Sequence, residues 1–157
     1  MQLIDLLIQD RVLANVLVTS KKRALEFVSD LIAKDDGAAA QRLVMDGFCA
    51  RERMGTTAFG GGVAMPHGRL KNFSEARGAF VRLSEPIDFH AADGEPVDLI
   101  FALAVPDHFT DQHLILLAQI AEMFTDRDLL ARLRSARDSA ALFELLSGWS
   151  EVKPHAA

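Results

Sequence analysis

Apolar positions along the chain change their spacing twice. Between Lys21 and Lys34, residues Ala24, Leu25, Val28, Leu31 and Ile32 recur on one helical face. Thr19 or Ser20 stands where that helix needs an N-cap. Asp35-Asp36-Gly37 ends the pattern, and a second helix is predicted from Ala38 to Arg53, with Leu43, Val44, Met45 and Phe48 as its apolar contacts. Ahead of both, Arg11–Val18 reads as a short strand. In the middle of the chain strands are predicted over Thr56–Phe59, Gly62–Met65, Gly78–Leu83 and Val97–Val105, separated by Gly, Pro, Asn and Asp. The last of these, VDLIFALAV, is almost wholly apolar, as a central strand covered on both faces must be. Helical spacing returns after Pro106, where His113, Leu117, Ile120 and Phe124 share a stripe. Thr125 is expected to open a short helix carrying Leu129, Leu130 and Leu133. Asp138 is expected to cap a last one that turns Leu142, Leu145 and Leu146 inward. Helices thus flank a strand-rich centre, which predicts an α/β sandwich.

Composition narrows the class of protein. No repeat, low-complexity stretch or Pro/Ser-rich linker interrupts the 157 residues, so one domain over 1–157 is expected, with its core at about 3–148 and a tail at 149–157. The net charge is −5 with acids and bases interspersed, which argues against nucleic acid as a partner, because that requires clustered Lys and Arg. The single cysteine, Cys49, cannot close an internal disulfide and fits a reducing compartment. The N-terminal MQLIDLLIQDRVL carries acids and no small-residue cleavage site, and no apolar run reaches the length of a membrane span. A cytoplasmic protein without membrane insertion is expected.

The chemistry concentrates in Arg51–Leu70, RERMGTTAFGGGVAMPHGRL. Pro66 fixes its own φ and keeps Met65 extended, so the strand delivers His67 to a defined place. Gly68 is expected to let the chain turn at once and to expose its N–H, and Gly60–Gly62 to let another backbone approach. A neutral imidazole is a good nucleophile toward phosphorus, and an unperturbed pKa near 6.5 leaves the ring largely neutral at cytoplasmic pH. The resulting phosphohistidine needs donors for its oxygens: backbone N–H groups, a second histidine or an arginine. An ordinary turn histidine bonded to a carbonyl is the alternative, against which stands the GGGVAMPHG context.

GGGVAMPHGRL, preceded by ARERMGTTAFG, resembles the active-site segment of the fructose/mannitol-type enzyme IIA domains of the bacterial phosphotransferase system, nearest to their nitrogen-regulatory branch. The likeness extends to LSEPIDFHAADGEPVDLIFALAVP, to HLILLAQIAEMF and to TSKKRALEFVSDLIA, and so covers roughly Leu3 to Gly148. It implies a mixed β-sheet sandwiched by helices. It also implies that His67 is the phosphorylated nucleophile and that His113 orients and stabilises the phosphoryl group. Arg51, rather than Arg53, is implied as the charge-stabilising arginine. Gly68 is the backbone donor expected from the residues. The phosphoryl donor implied is a histidine phosphocarrier, HPr or its nitrogen-branch counterpart, charged from phosphoenolpyruvate through an enzyme I. A nitrogen-branch regulator of other proteins is the leading expectation. A sugar-uptake enzyme IIA that donates to an enzyme IIB, and a binding module that is never phosphorylated, are the alternatives.

The remaining candidates carry less. His113 alone could be a satisfied core histidine, and Arg51 and Arg69 solvated surface charges. His90 departs from the family's pattern and is expected in a surface loop; His108, five residues before His113, is expected to be solvated, with a place bordering the site as the alternative; His155 falls in the C-terminal tail. No HxxxH, HExxH or cysteine-rich spacing points to a metal, no GxSxG elbow to a hydrolase and no P-loop to direct use of ATP. No cofactor is expected.

Overall fold

A buried ten-residue strand organises the fold. The computed structural model describes residues 3–149, with side chains from Asp5 onward; His155 and the rest of the expected tail from Ser150 lie outside the described residues. A 3-10 turn at Gln9–Arg11 leads into β1 (Val12–Val16), followed by α1 (Lys21–Ile32) and α2 (Ala38–Arg53). Next come β2 (Ala58–Gly60), β3 (Val63–Ala64), β4 (His67–Leu70), β5 (Arg77–Ile87) and β6 (Val97–Pro106). Three helices finish the fold: α3 (Asp111–Met123), α4 (Arg127–Ser135) and α5 (Ser139–Gly148).

The six strands form one mixed sheet in the order β1-β5-β6-β3-β2, with β4 also paired to β6. Only β5–β6 and β2–β3 are antiparallel. Side chains alternate across β6. Ile100, Ala102 and Ala104 join the core under α1 and α2, while Leu99, Phe101, Leu103 and Val105 join the core under α3, α4 and α5. The small alanines let α1 and α2 sit close, and the opposite face takes the bulk. The result is the expected three-layer arrangement, a mixed sheet between two layers of helices.

The helix ends follow local chemistry. Ser20, rather than Thr19, caps α1 by accepting from the Arg23 N–H at 3.2 Å. Asp138 caps α5 through the Ala141 N–H at 2.9 Å. Thr125 does not open α4. Its hydroxyl donates back to the Glu122 carbonyl at 2.6 Å and closes α3, and Asp126 takes the cap by accepting from the Leu129 N–H. Trp149, expected in the tail, instead packs against the core, and its indole N–H donates to Asp126 at 3.3 Å.

The largest departure from the sequence reading is β4. Gly68 does not turn the chain; HGRL continues as a strand parallel to β6, with His67 opposite Leu103 and Leu70 opposite Pro106. Both β3 and β4 therefore lie on the same edge of β6, one after the other, with Met65-Pro66 as the break between them. The glycine at 68 matters instead for packing. A Cβ there would lie 3.5 Å from the backbone carbon and oxygen of Gly47, so the pair of glycines brings α2 close against β4.

Gly68→Ala places one carbon at ordinary contact distance and should be tolerated. Gly68→Val presses two further carbons on the backbone of α2 and should cost about 1–3 kcal/mol in urea unfolding. Equal stability of the two variants would contradict this packing.

Candidate functional site

The close approach of α2 to β4 decides which side chains meet. Gly47, Ala50, Arg51 and Met54 occupy one face of α2 at helical spacing and form one wall of a cleft of about 810 Å³. Thr110, Asp111, His113, Leu114 and Leu117, at the start of α3, form the other wall, with His67, Gly68 and Arg69 of β4 between them. Odd-numbered residues of this strand face α3, because Leu70 and Gly68 face α2. His67 and His113 are thereby brought together, with ring centroids 5.5 Å apart and planes inclined at 49°.

The two rings are held differently. His67 is half-buried, and its Nδ1 lies 2.8 Å from the carbonyl oxygen of Met65. A carbonyl only accepts, so Nδ1 carries the proton, and the lone pair of the neutral ring is left on Nε2. His113 is 8 % exposed, and its Nδ1 is buried with no hydrogen-bond partner among the described residues. An unpartnered buried ring nitrogen is uncommon outside functional sites.

Both rings are held neutral. Burial lowers the pKa of His67; the Met65 carbonyl opposes this, the Arg51 charge adds to it and the Glu52 charge opposes it. For His113, burial, the neighbouring His67 and then Arg69 bring the pKa down to about 4. Arg51 lines the cleft, with Nη1 donating to the Gly55 carbonyl at 2.8 Å, and forms no ion pair among the described residues. Arg53 is exposed and is not part of the cleft wall. Arg69 is exposed at the cleft.

Gly68 lines the cleft, but its N–H is not a free donor. Leu103 N–H donates to the Pro66 carbonyl and Asp107 N–H to that of Leu70. In a parallel ladder this parity turns the backbone groups of even-numbered residues toward β6, and leaves those of His67 and Arg69 facing away. The backbone N–H groups that β6 leaves unpaired here are those of His67 and Arg69, not that of Gly68. A further source of N–H groups is the start of α3, where Thr110 makes no side-chain cap.

Other expected candidates lie elsewhere. Gly60, Gly61 and Gly62 all have positive φ and form the β2–β3 turn, where Arg134 and Asp98 crowd against Gly62. His90 is exposed in its loop at φ 60°, close to Asp88. His108 is exposed beside Phe109 and outside the cleft wall. Cys49 is partly buried against the core. Two features had no signal in the sequence reading: the Met65 carbonyl that orients His67, and the exposed apolar rim of Met54 and Leu114, 83 % and 65 % exposed.

Residues 5–149 match the family described as "Phosphoenolpyruvate-dependent sugar phosphotransferase system, EIIA 2". The chain belongs to this EIIA type 2 family. Within it, the chain is similar to the nitrogen regulatory protein of Klebsiella oxytoca, 42 % identical over 148 residues that cover 94 % of this chain and 91 % of that protein. Among solved structures it is similar to the nitrogen regulatory protein IIA-Ntr of Neisseria meningitidis, with a TM-score of 0.84 and 34 % identity over 91 % of this chain and 97 % of that one. The enzyme IIA of the Escherichia coli mannitol system, solved in complex with its phosphorylated enzyme IIB, shares the fold at a TM-score of 0.76 and 18 % identity, over 91 % of this chain and 98 % of that one. Family members are phosphotransferase-system components, and the likeness here is to the nitrogen-regulatory branch. No helix of this EIIA chain among the described residues is long and apolar enough to cross a membrane.

The neutral rings have a consequence for stability. In the unfolded chain each imidazole takes up a proton near pH 6.5; in the fold His113 does so only near 4 and His67 below its ordinary value. Between those limits the unfolded state binds more protons, so stability falls as pH falls from about 6.5 toward 4. NMR titration should place His113 near pH 4, and His113→Gln should lose less stability than wild type across that window. A His113 midpoint near 6.5 would contradict the buried, neutral ring.

Proposed function

We propose that the protein is a cytoplasmic phosphohistidine carrier of the nitrogen-regulatory branch, which accepts a phosphoryl group on Nε2 of His67 from a histidine phosphocarrier and regulates other proteins through its phosphorylation state. The observation that carries this reading is the held, neutral His67 ring, its lone pair on Nε2, beside a second buried imidazole with unused hydrogen-bonding capacity. In the transfer, the bond from phosphorus to the carrier's ring nitrogen breaks and its electron pair returns to that ring. The lone pair of His67 Nε2 forms the new N–P bond, and Nδ1 keeps its proton on the Met65 carbonyl. Little other covalent chemistry is needed, so positioning and charge stabilisation supply the catalysis. His113 and Arg51 take these roles, with Arg69 and the uncapped start of α3 adding favourable potential for an anion. The exposed Met54 and Leu114 give the carrier an apolar surface to dock on, within a charged rim that sets the encounter rate.

A second reading, in which His67 passes its phosphoryl group to an enzyme IIB in sugar uptake, draws on the mannitol-system neighbour, whose structure contains a phosphorylated enzyme IIB. Transfer to a sugar-specific enzyme IIB separates it from the regulatory reading.

The test is intact mass at neutral pH after addition of phosphoenolpyruvate, an enzyme I and the carrier. Wild type should gain one phosphoryl group and His67→Ala none, while His113→Gln and Arg51→Gln should slow the gain by about 100-fold. Wild type that gains nothing from a carrier shown to be phosphorylated would overturn this function and leave a binding module with the fold alone.

A further inference from the structure

Glu52 follows Arg51 in the last turn of α2, yet its side chain is turned inward and only 6 % exposed. A buried carboxylate is costly unless charge and hydrogen bonds compensate it. Here both are present. The Lys21 ammonium lies 2.8 Å from Oε1, and the Thr57 N–H donates to both carboxylate oxygens, at 3.2 and 3.1 Å. Lys21 is itself fixed, with its ammonium 4.8 Å from the centre of the Phe89 ring. Next in the chain, the Thr56 hydroxyl donates to the Phe89 carbonyl at 2.7 Å, so the segment entering β2 is held at two successive residues.

From Thr57 the connections run directly to the nucleophile. The Thr57 carbonyl accepts the Met65 N–H at 3.1 Å, and the Met65 carbonyl accepts Nδ1–H of His67 at 2.8 Å. We infer that Glu52 is the positioning residue for His67: anchored by Lys21, it fixes Thr57, which fixes Met65, whose carbonyl sets the orientation and tautomer of the ring. No step of the transfer passes through Glu52, and it touches no reacting atom. It works as an outer-layer carboxylate does when it orients a ligand histidine, by removing the alternatives open to the inner group. Its charge also reaches the ring, opposing the effect of Arg51. The inference rests on His67 being the phosphoryl acceptor.

A merely structural Glu52 would affect stability and leave the ring as it is, so the ring is the readout. In 15N-labelled wild type at neutral pH, His67 should show a protonated Nδ1 and an unprotonated Nε2. In Glu52→Ala the two nitrogen shifts should move toward one another as the second tautomer becomes populated. The transfer kcat should fall about tenfold or more, with KM for the carrier unchanged. Glu52→Gln, which keeps the volume and one accepting oxygen, should show the same changes at smaller size and serves if the alanine variant does not fold. A folded variant that retains the single Nδ1–H tautomer and a kcat within about twofold of wild type overturns the inference. Amide exchange in wild type is independent of both variants: a Thr57 N–H protected as well as that of Met65 supports the anchored path, and free exchange at Thr57 overturns it. Wild type that takes no phosphoryl group would contradict the proposed function, while the tautomer stays readable in the same sample, so the two failures are distinct.

Discussion

Two imidazoles with centroids 5.5 Å apart cannot both be charged without repelling each other. At an effective dielectric of about 20 that repulsion amounts to about 3 kcal/mol, before the cost of burying either charge is counted. The fold accepts this constraint by keeping both rings neutral, His113 through burial and His67 through burial opposed by the Met65 carbonyl. A neutral ring is also the reactive form of a histidine nucleophile. The constraint that packs the pair is thus the one that suits it to phosphoryl transfer. In the proposed function, a phosphoryl dianion on His67 would reverse the sign of the interaction and make the neighbouring ring, Arg51 and Arg69 favourable partners.

The sheet supplies the geometry. β6 is long enough to pair with β3 and then β4 on one edge, and the break at Met65-Pro66 lets His67 begin a new strand with its ring toward α3. Gly47 and Gly68 bring the opposite wall in, which carries Arg51 to the same cleft. The apolar rim, the cationic side chains and the paired rings come from three elements, α2, β4 and α3. The cleft exists because α2 packs close on one face of β4.

Much of this was legible in the sequence because helices and central strands announce themselves by period. Lys21–Ile32, Ala38–Arg53 and Val97–Pro106 fall close to where the apolar spacing placed them. β4 was not legible. HGRL has one apolar residue, follows a proline and holds a glycine, and it is extended only because β6 offers it a partner. The reading of Gly68 as a turn failed for the same reason, and with it the reading of its N–H as a donor. His67 stood out from its GGGVAMPHG context and from family resemblance, His113 and Arg51 mainly from the resemblance, and the structure places all three at one cleft. Glu52 left no trace, since a glutamate beside two arginines at a helix end reads as a surface residue until the fold buries it.

The proposed chemistry takes place at one atom, Nε2 of His67. The most direct measurement is phosphorus–nitrogen correlation NMR on the 15N-labelled protein after phosphorylation by the carrier. Phosphorus should be bonded to Nε2 of His67, with the proton retained on Nδ1. Phosphorus on Nδ1, or on any residue other than His67, would contradict it.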